Sequence, residues 1–320
     1  VLQAASVILM ASLGISYFFK PSFCLALIVI IPLAVSTYLV NLLRGIVNNL
    51  ENRRFSVYSL LFETVLKISL FSVLVNFFHA SALLLLTSTL LASISVCVAI
   101  FLYLKTLAEY KVTQKTIFQL KEIVLFTYPI SIGAIINWIQ LQSYTIILVS
   151  LGFVEIVGIF GTITNIGSSG MNACSTVFSQ LFVPNLYKTH GRYISVYLRN
   201  ALLIVLGVAI FSILASKIII GLLTKRELLE YSRIIIYGIL TEAGNFIIGA
   251  LTIYLTIKNL TKTTIKMSSL GLVVFFASFG VLYVFKQINV YTLGIPMVLT
   301  QLVISLGLYT IVHKQKNINE

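Results

Sequence analysis

Aspartate is missing from this sequence, and the acidic residues number only nine, all of them glutamate. Charged residues of both signs make up 10% of the chain, against about 25% in an average soluble domain. With 59% hydrophobic residues and a mean hydropathy of +1.04, no stretch is polar enough and long enough for a soluble domain. Cysteine is scarce: Cys24, Cys97 and Cys174 lie scattered inside apolar runs. An odd, dispersed set without ligand spacing argues against a disulfide framework and reads as small apolar packing residues. His79, His190 and His313 are isolated, so no metal cluster is visible. No GxxxxGK[ST] loop occurs, so the chain is not itself an ATPase. No catalytic residue, metal or cofactor is assigned.

What fills the chain is apolar runs of membrane-crossing length, at 1–18, 23–44, 56–77, 80–104, 124–150, 154–184, 195–218, 230–257, 265–285 and 290–312. A hydrocarbon core of about 30 Å needs about 20 such residues per helix. Most of the 22 lysines and arginines fall at every second connection. They are Arg44, Arg53 and Arg54; Lys105, Lys111, Lys115 and Lys121; Lys188, Arg192 and Arg199; Lys258, Lys262 and Lys266; and Lys314 and Lys316 in the tail. Short loops rich in Lys and Arg stay cytoplasmic, which predicts a cytoplasmic carboxy terminus. The intervening gaps hold Lys20, then Lys217, Lys225, Arg226 and Arg233, then Lys286. The net charge of +13 is spread over short loops, which fits orientation and anionic lipid headgroups better than a nucleic-acid partner. Val1 opens inside an apolar run with no initiator Met, basic flank or cleavage site. It is therefore read as the start of a fragment, not of a signal peptide.

The longest polar connection, 105–123, spaces Ile117, Leu120 and Ile123 near helical periodicity among Lys115, Gln119, Lys121 and Glu122. It predicts an amphipathic cytoplasmic linker between two lobes, 1–104 and 124–320. Asn49-Leu50 with Ser59-Leu60, and Asn259-Leu260 with Ser269-Leu270, form two similar basic turns, each leading into a span. Pairing 56–77 with 265–285 makes the lobes parallel repeats. The expectation is an all-α polytopic bundle of two pseudo-symmetric lobes, with about ten transmembrane helices present of an expected twelve.

Residues 126–169 carry Pro129 near the start of a span, then Trp138 with Asn137, Gln140 and Gln142, a turn, and Val157-Gly158-Ile159-Phe160. Pro184 and Tyr187 close the next span. This pattern resembles the opening of the carboxy-terminal half of bacterial O-antigen and capsule repeat-unit flippases. Those proteins belong to the multidrug/oligosaccharidyl-lipid/polysaccharide exporter superfamily. The Arg44…Arg53-Arg54 turn is similar to the family's cytoplasmic turn after its fourth span. One departure stands out: many relatives carry an Asp-Arg pair where this chain has Gln142-Ser143-Tyr144. The resemblance implies a bacterial cytoplasmic-membrane transporter that passes polyprenyl-diphosphate-linked oligosaccharides by alternating access. Its partners would be the lipid-linked substrate, membrane lipids, and the polymerase and chain-length machinery. The alternatives are a cation-coupled multidrug antiporter of the same superfamily and a membrane polymerase or glycosyltransferase. The enzymes are disfavoured by the tiny external gaps.

Ionisable groups inside a bilayer cost about 2.5–3.5 kcal/mol each on insertion scales, so they line cavities or pair. Glu63 and Lys67 stand four apart, Glu first, the favourable order for a helical pair. They are expected at the substrate cavity, where Lys67 suits a diphosphate, or as a structural ion pair. Glu242 sits among Gly238, Gly244, Asn245 and Gly249 with no cation in its run before Lys258. It is the expected coupling site for a proton or sodium ion, or a carboxyl hydrogen-bonded to a neighbouring helix. The run 154–184 is rich in small and polar residues; its glycines are read as packing positions, Asn165 and Asn172 as cavity wall. Asn137 and Gln140 join that wall. Arg44, Arg53 and Arg54 are placed at the cytoplasmic mouth, and Pro32, Pro129 and Pro296 at ordinary kinks.

Overall fold

The computed structural model describes residues 21–50, 52–79, 81–107 and 120–319. The expected first span at 1–18, and the centre of the 105–123 stretch, lie outside the described residues. Every regular element among the described residues is helical: α1 (Pro21–Asn49), α2 (Arg53–Phe77), α3 (Ala82–Leu107), α4 (Leu120–Ser150), α5 (Val154–Lys188), α6 (Ile194–Leu223), a 3-10 segment (Arg226–Ile234), α7 (Ile235–Ile257), α8 (Lys262–Val284) and α9 (Gly294–Asn319). Helices are what such runs must form in lipid, where each backbone amide has to find its partner within the segment. Eight stretches among the described residues are long and apolar enough to cross a bilayer. This is the build of a multi-pass membrane protein. The helix that falls short of that apolarity is α5, the small and polar one.

Helix ends follow local chemistry. After α4, α5, α7 and α8 the chain enters the left-handed region at Gly152, His190, Asn259 and Lys286. In each case an amide reaches back five residues: Phe153 to Leu148, Gly191 to Leu186, Leu260 to Leu255 and Gln287 to Leu282, at 2.8–2.9 Å. These are Schellman closures, which satisfy the carbonyls that a helix end orphans. Two spans start later than their apolar runs. The run at 230 begins as 3-10 turns, and α7 proper starts at Ile235. The run at 290 is delayed to Gly294 because the Asn289 Oδ1 accepts the Tyr291 and Thr292 amides, at 2.9 and 3.0 Å, holding a turn. Pro296 therefore falls in the first turn of α9, where its missing N–H breaks nothing. Pro32 and Pro129 do lie inside helices, as expected, and Pro184 lies inside α5.

The chain divides into two compact units, 1–115 and 116–320, and the division falls within the 105–123 stretch. In the first unit α1 and α2 pack chiefly on α3. Its core is small: Val40, Val47, Val96 and Ile100, with the Phe55 and Tyr103 rings stacked at 3.8 Å. In the second unit α7 is the hub, packed on α5, α6 and α9, while α8 packs on α9 and α4. Two glycines set the α5–α7 spacing. A Cβ at Gly238 would collide with the Thr164 carbonyl, and one at Gly167 with the Ile235 carbonyl. The backbones touch because these positions lack side chains, the use of small residues expected where helices pack in lipid.

Candidate functional site

Each unit holds a polar group inside its apolar helices, built on Glu63 in the first and on Glu242 in the second. In the first, Glu63 projects from α2 and is buried, 5% exposed. Its Oε2 meets the Arg44 guanidinium from α1 at 2.5 Å, and its Oε1 meets the Lys67 ammonium one turn further along α2, also at 2.5 Å. Arg44 completes its fork by donating through Nε to the Ser59 Oγ at 2.9 Å and through Nη2 to the Ser59 carbonyl at 3.0 Å. Ser59 in turn donates to the Ser56 carbonyl at 2.7 Å. Lys67 lies about 20 Å along α2 from Arg53 at 1.5 Å per residue, and its side chain remains 35% exposed. Two cations thus share one carboxylate, leaving one positive charge in excess.

This changes the expected geography of the cations. Arg44 belongs to a helix, not to the loop assigned to the mouth, and is 6% exposed. A guanidinium held by Glu63 and Ser59 is not free to gather phosphate from outside. Arg54 is exposed at the start of α2. Arg53 begins the same helix.

In the second unit the polar groups are amides. The Gln301 Nε2 on α9 donates to the Asn137 Oδ1 on α4 at 3.1 Å. The Asn137 Nδ2 donates to the Asn245 Oδ1 on α7 at 3.2 Å, and the Asn245 Nδ2 donates to the Glu242 Oε2 at 3.1 Å. The three bonds run in one direction across three helices and end on a carboxylate. Gln301 fits there because α7 carries Gly244 opposite it; a Cβ on Gly244 would stand 2.5 Å from the Gln301 Cβ. Among the described residues no ion pair engages Glu242.

Glu242 and Asn245 open onto a cavity of about 450 Å³ walled by α4, α5 and α7, with Met297 of α9. Thr164, Asn165 and Ser168 face it from α5, and Gln142 and Tyr144 from α4. Gly158 and Gly161 line it too, with nothing within 4 Å of a Cβ built on either. Contrary to the packing role expected for the glycines of this run, these two hollow the wall; Gly167 does the packing. Asn172, two turns beyond Asn165, is exposed, does not line this cavity, and accepts from the Thr176 hydroxyl at 3.3 Å. Gln140 is buried away from the cavity, donating to the Ser268 carbonyl of α8 at 2.6 Å. Trp138 is 60% exposed and does not line the cavity. The Gln142-Ser143-Tyr144 stretch, where the flippase pattern carries charge, puts two of its three residues on the cavity wall.

The candidate substrate residues therefore fall into separate groups: Glu63 and Lys67 in the first unit, Asn137, Gln140, Asn165 and Asn172 in the second. Sequence reasoning missed Gln301, although a lone amide in an apolar run was a visible signal. It also left Asn245 as a neighbour of Glu242, not as the donor that holds it. Ser59 gave no signal, because a helical serine in a span usually bonds its own backbone.

These features define a multi-pass helical membrane protein with a carboxylate-bearing polar cavity. No family model, no curated protein and no solved structure matches the chain.

Proposed function

We propose that the protein is a transporter of the repeat-unit flippase type, moving polyprenyl-diphosphate-linked oligosaccharides across the bacterial cytoplasmic membrane by alternating access. The observation that carries this reading is the excess positive charge at Arg44, Glu63 and Lys67 within two apolar helices. Burying charge in a span is costly, and a second cation on a satisfied carboxylate adds cost without a structural need. Lys67 offers three N–H donors and uses one on Glu63, so its half-buried head is available to an anionic group such as a diphosphate. The pattern at 126–169 supports the same class. Glu242, held by the Asn245 amide and facing a cavity, is the group proposed to take up the coupling proton or sodium ion.

That carboxylate, engaged by no ion pair among the described residues, is also what a multidrug/cation antiporter needs, and this is the second reading. The test is complementation of a deletion strain, with lipid-linked repeat units assayed on each membrane face. Under the flippase reading, units accumulate on the cytoplasmic face without the gene, and Lys67→Arg restores export while Lys67→Ala does not. Normal export in the deletion, together with new drug sensitivity, would overturn the flippase in favour of the antiporter.

A further inference from the structure

The connection between α6 and α7 breaks the alternation of charge. It holds Lys225, Arg226 and Arg233, with Lys217 on the last turns of α6 beside them, at an end of the spans that the pattern places opposite the basic loops. Positive charge in a short translocated loop works against insertion, so these residues call for a compensating partner. The structure gathers three of them. Lys217 near the end of α6, and Arg226 and Arg233 at either end of the 3-10 segment, line one open groove of about 770 Å³. Glu230 is the one acid on its wall. Among the described residues no ion pair engages Lys217, Arg226 or Arg233, and all three are exposed. The floor is apolar, formed by Ile218, Leu222 and Leu229. Gly221 lets the segment sit close: a Cβ there would stand 3.3 Å from the Leu229 Cδ2. The segment is amphipathic, with Arg226, Glu227, Glu230 and Arg233 outward and Ser232 and Ile234 buried.

From this we infer that the groove is a binding site for the phosphate group of a membrane amphiphile. Arg226 and Arg233 hold the phosphate oxygens, Lys217 adds charge, and the hydrocarbon chain runs along Ile218 and Leu222, which are 66% and 80% exposed. Arginine forks suit phosphate oxygens in pairs, and long cationic side chains place their heads at the interface while their stems lie on apolar surface. The site is independent of the transport reading, since it uses neither the Lys67 group nor the Glu242 cavity. Inorganic pyrophosphate offers the same phosphate oxygens without a chain, so a bilayer lipid and a free diphosphate are separable as ligands.

The experiment is native mass spectrometry on the purified full chain, delipidated in detergent, with phosphatidylglycerol, phosphatidylcholine or inorganic pyrophosphate added. The Arg226→Gln/Arg233→Gln double variant is expected to bind phosphatidylglycerol at least tenfold more weakly. The Arg226→Lys/Arg233→Lys variant should recover part of that, and Arg199→Gln, at the other end of α6, should bind as wild type. Loss of phosphatidylglycerol binding in the double variant supports the inference; loss of pyrophosphate binding alone would overturn it and leave a free-diphosphate site in its place. Equal binding of all three additives by wild type and the double variant, with both proteins monodisperse and helical, would overturn it, as would tight phosphatidylcholine binding that the substitutions do not change.

Discussion

Glu63 and Glu242 are the same residue type in apolar helices, yet their surroundings differ in kind. Glu63 is met on one oxygen by Arg44 and on the other by Lys67, and is sealed from its surroundings. Glu242 receives one amide donor, meets no described cation, and faces open space. A carboxylate saturated by two cations serves to hold two helices and to fix their charges in place. One supported by a neutral relay and open to a cavity keeps acceptor capacity for something that arrives. The contrast teaches that a lone charge in a span says little about its use until its partners are known.

The largest way to break the comparison is Glu63→Ala. It leaves Arg44 and Lys67 without their shared counter-ion, and removing one partner of a buried ion pair costs about 3–5 kcal/mol. A fall in detergent melting temperature and in folded yield is expected, whereas Glu242→Gln should leave both nearly unchanged. Equal destabilisation by the two would erase the distinction. Next comes Gly238→Ala, which pushes a methyl into the Thr164 carbonyl and should cost about 1–3 kcal/mol by overpacking. Thermal unfolding followed by circular dichroism would read it, and the loss should exceed that of Gly249→Ala, where a Cβ meets open space.

Glu242→Gln tests the other side. Its expected signature is at least a tenfold drop in ion-driven transport in proteoliposomes, with unchanged unfolding. Full transport would remove Glu242 from the coupling role. Smaller still is Gln301→Leu, which cuts the relay at its far end; a net hydrogen bond is worth about 0.5–1.5 kcal/mol. A few-fold loss of transport is expected, with Glu242→Gln/Gln301→Leu no worse than Glu242→Gln alone. Additive losses would mean that Gln301 acts through something other than Glu242. The mildest is Lys67→Arg, which preserves the charge beside Glu63 and should keep near wild-type stability and export.

Much of the fold was legible in the chain. The runs from 23 to 312 each locate one helix, with ends displaced by up to seven residues, because lipid leaves an apolar segment no alternative to internal hydrogen bonding. The exceptions are instructive. The delayed start at Gly294 follows from Asn289 capturing two amides, a local event that hydrophobicity does not report. Of the site, Glu242 and the Glu63–Lys67 pair could be picked out because charge in a span is conspicuous and four-residue spacing is local. Arg44 could not be joined to them: its approach to Glu63 depends on how α1 and α2 pack across the turn. Asn137 looked like cavity wall and is instead the middle of a relay, for which α4, α7 and α9 must come together.

By itself the sequence determined that this is a multi-pass helical membrane protein, roughly where its helices fall, and that Glu63, Lys67 and Glu242 lie within them, since each of these follows from composition and spacing along one helix. Only the tertiary structure decided which carboxylate is neutralised and which is open. That depends on residues far apart in the chain meeting at hydrogen-bonding distance, a matter of how helices pack, and Gly238 and Gly244 show how finely missing side chains set that packing.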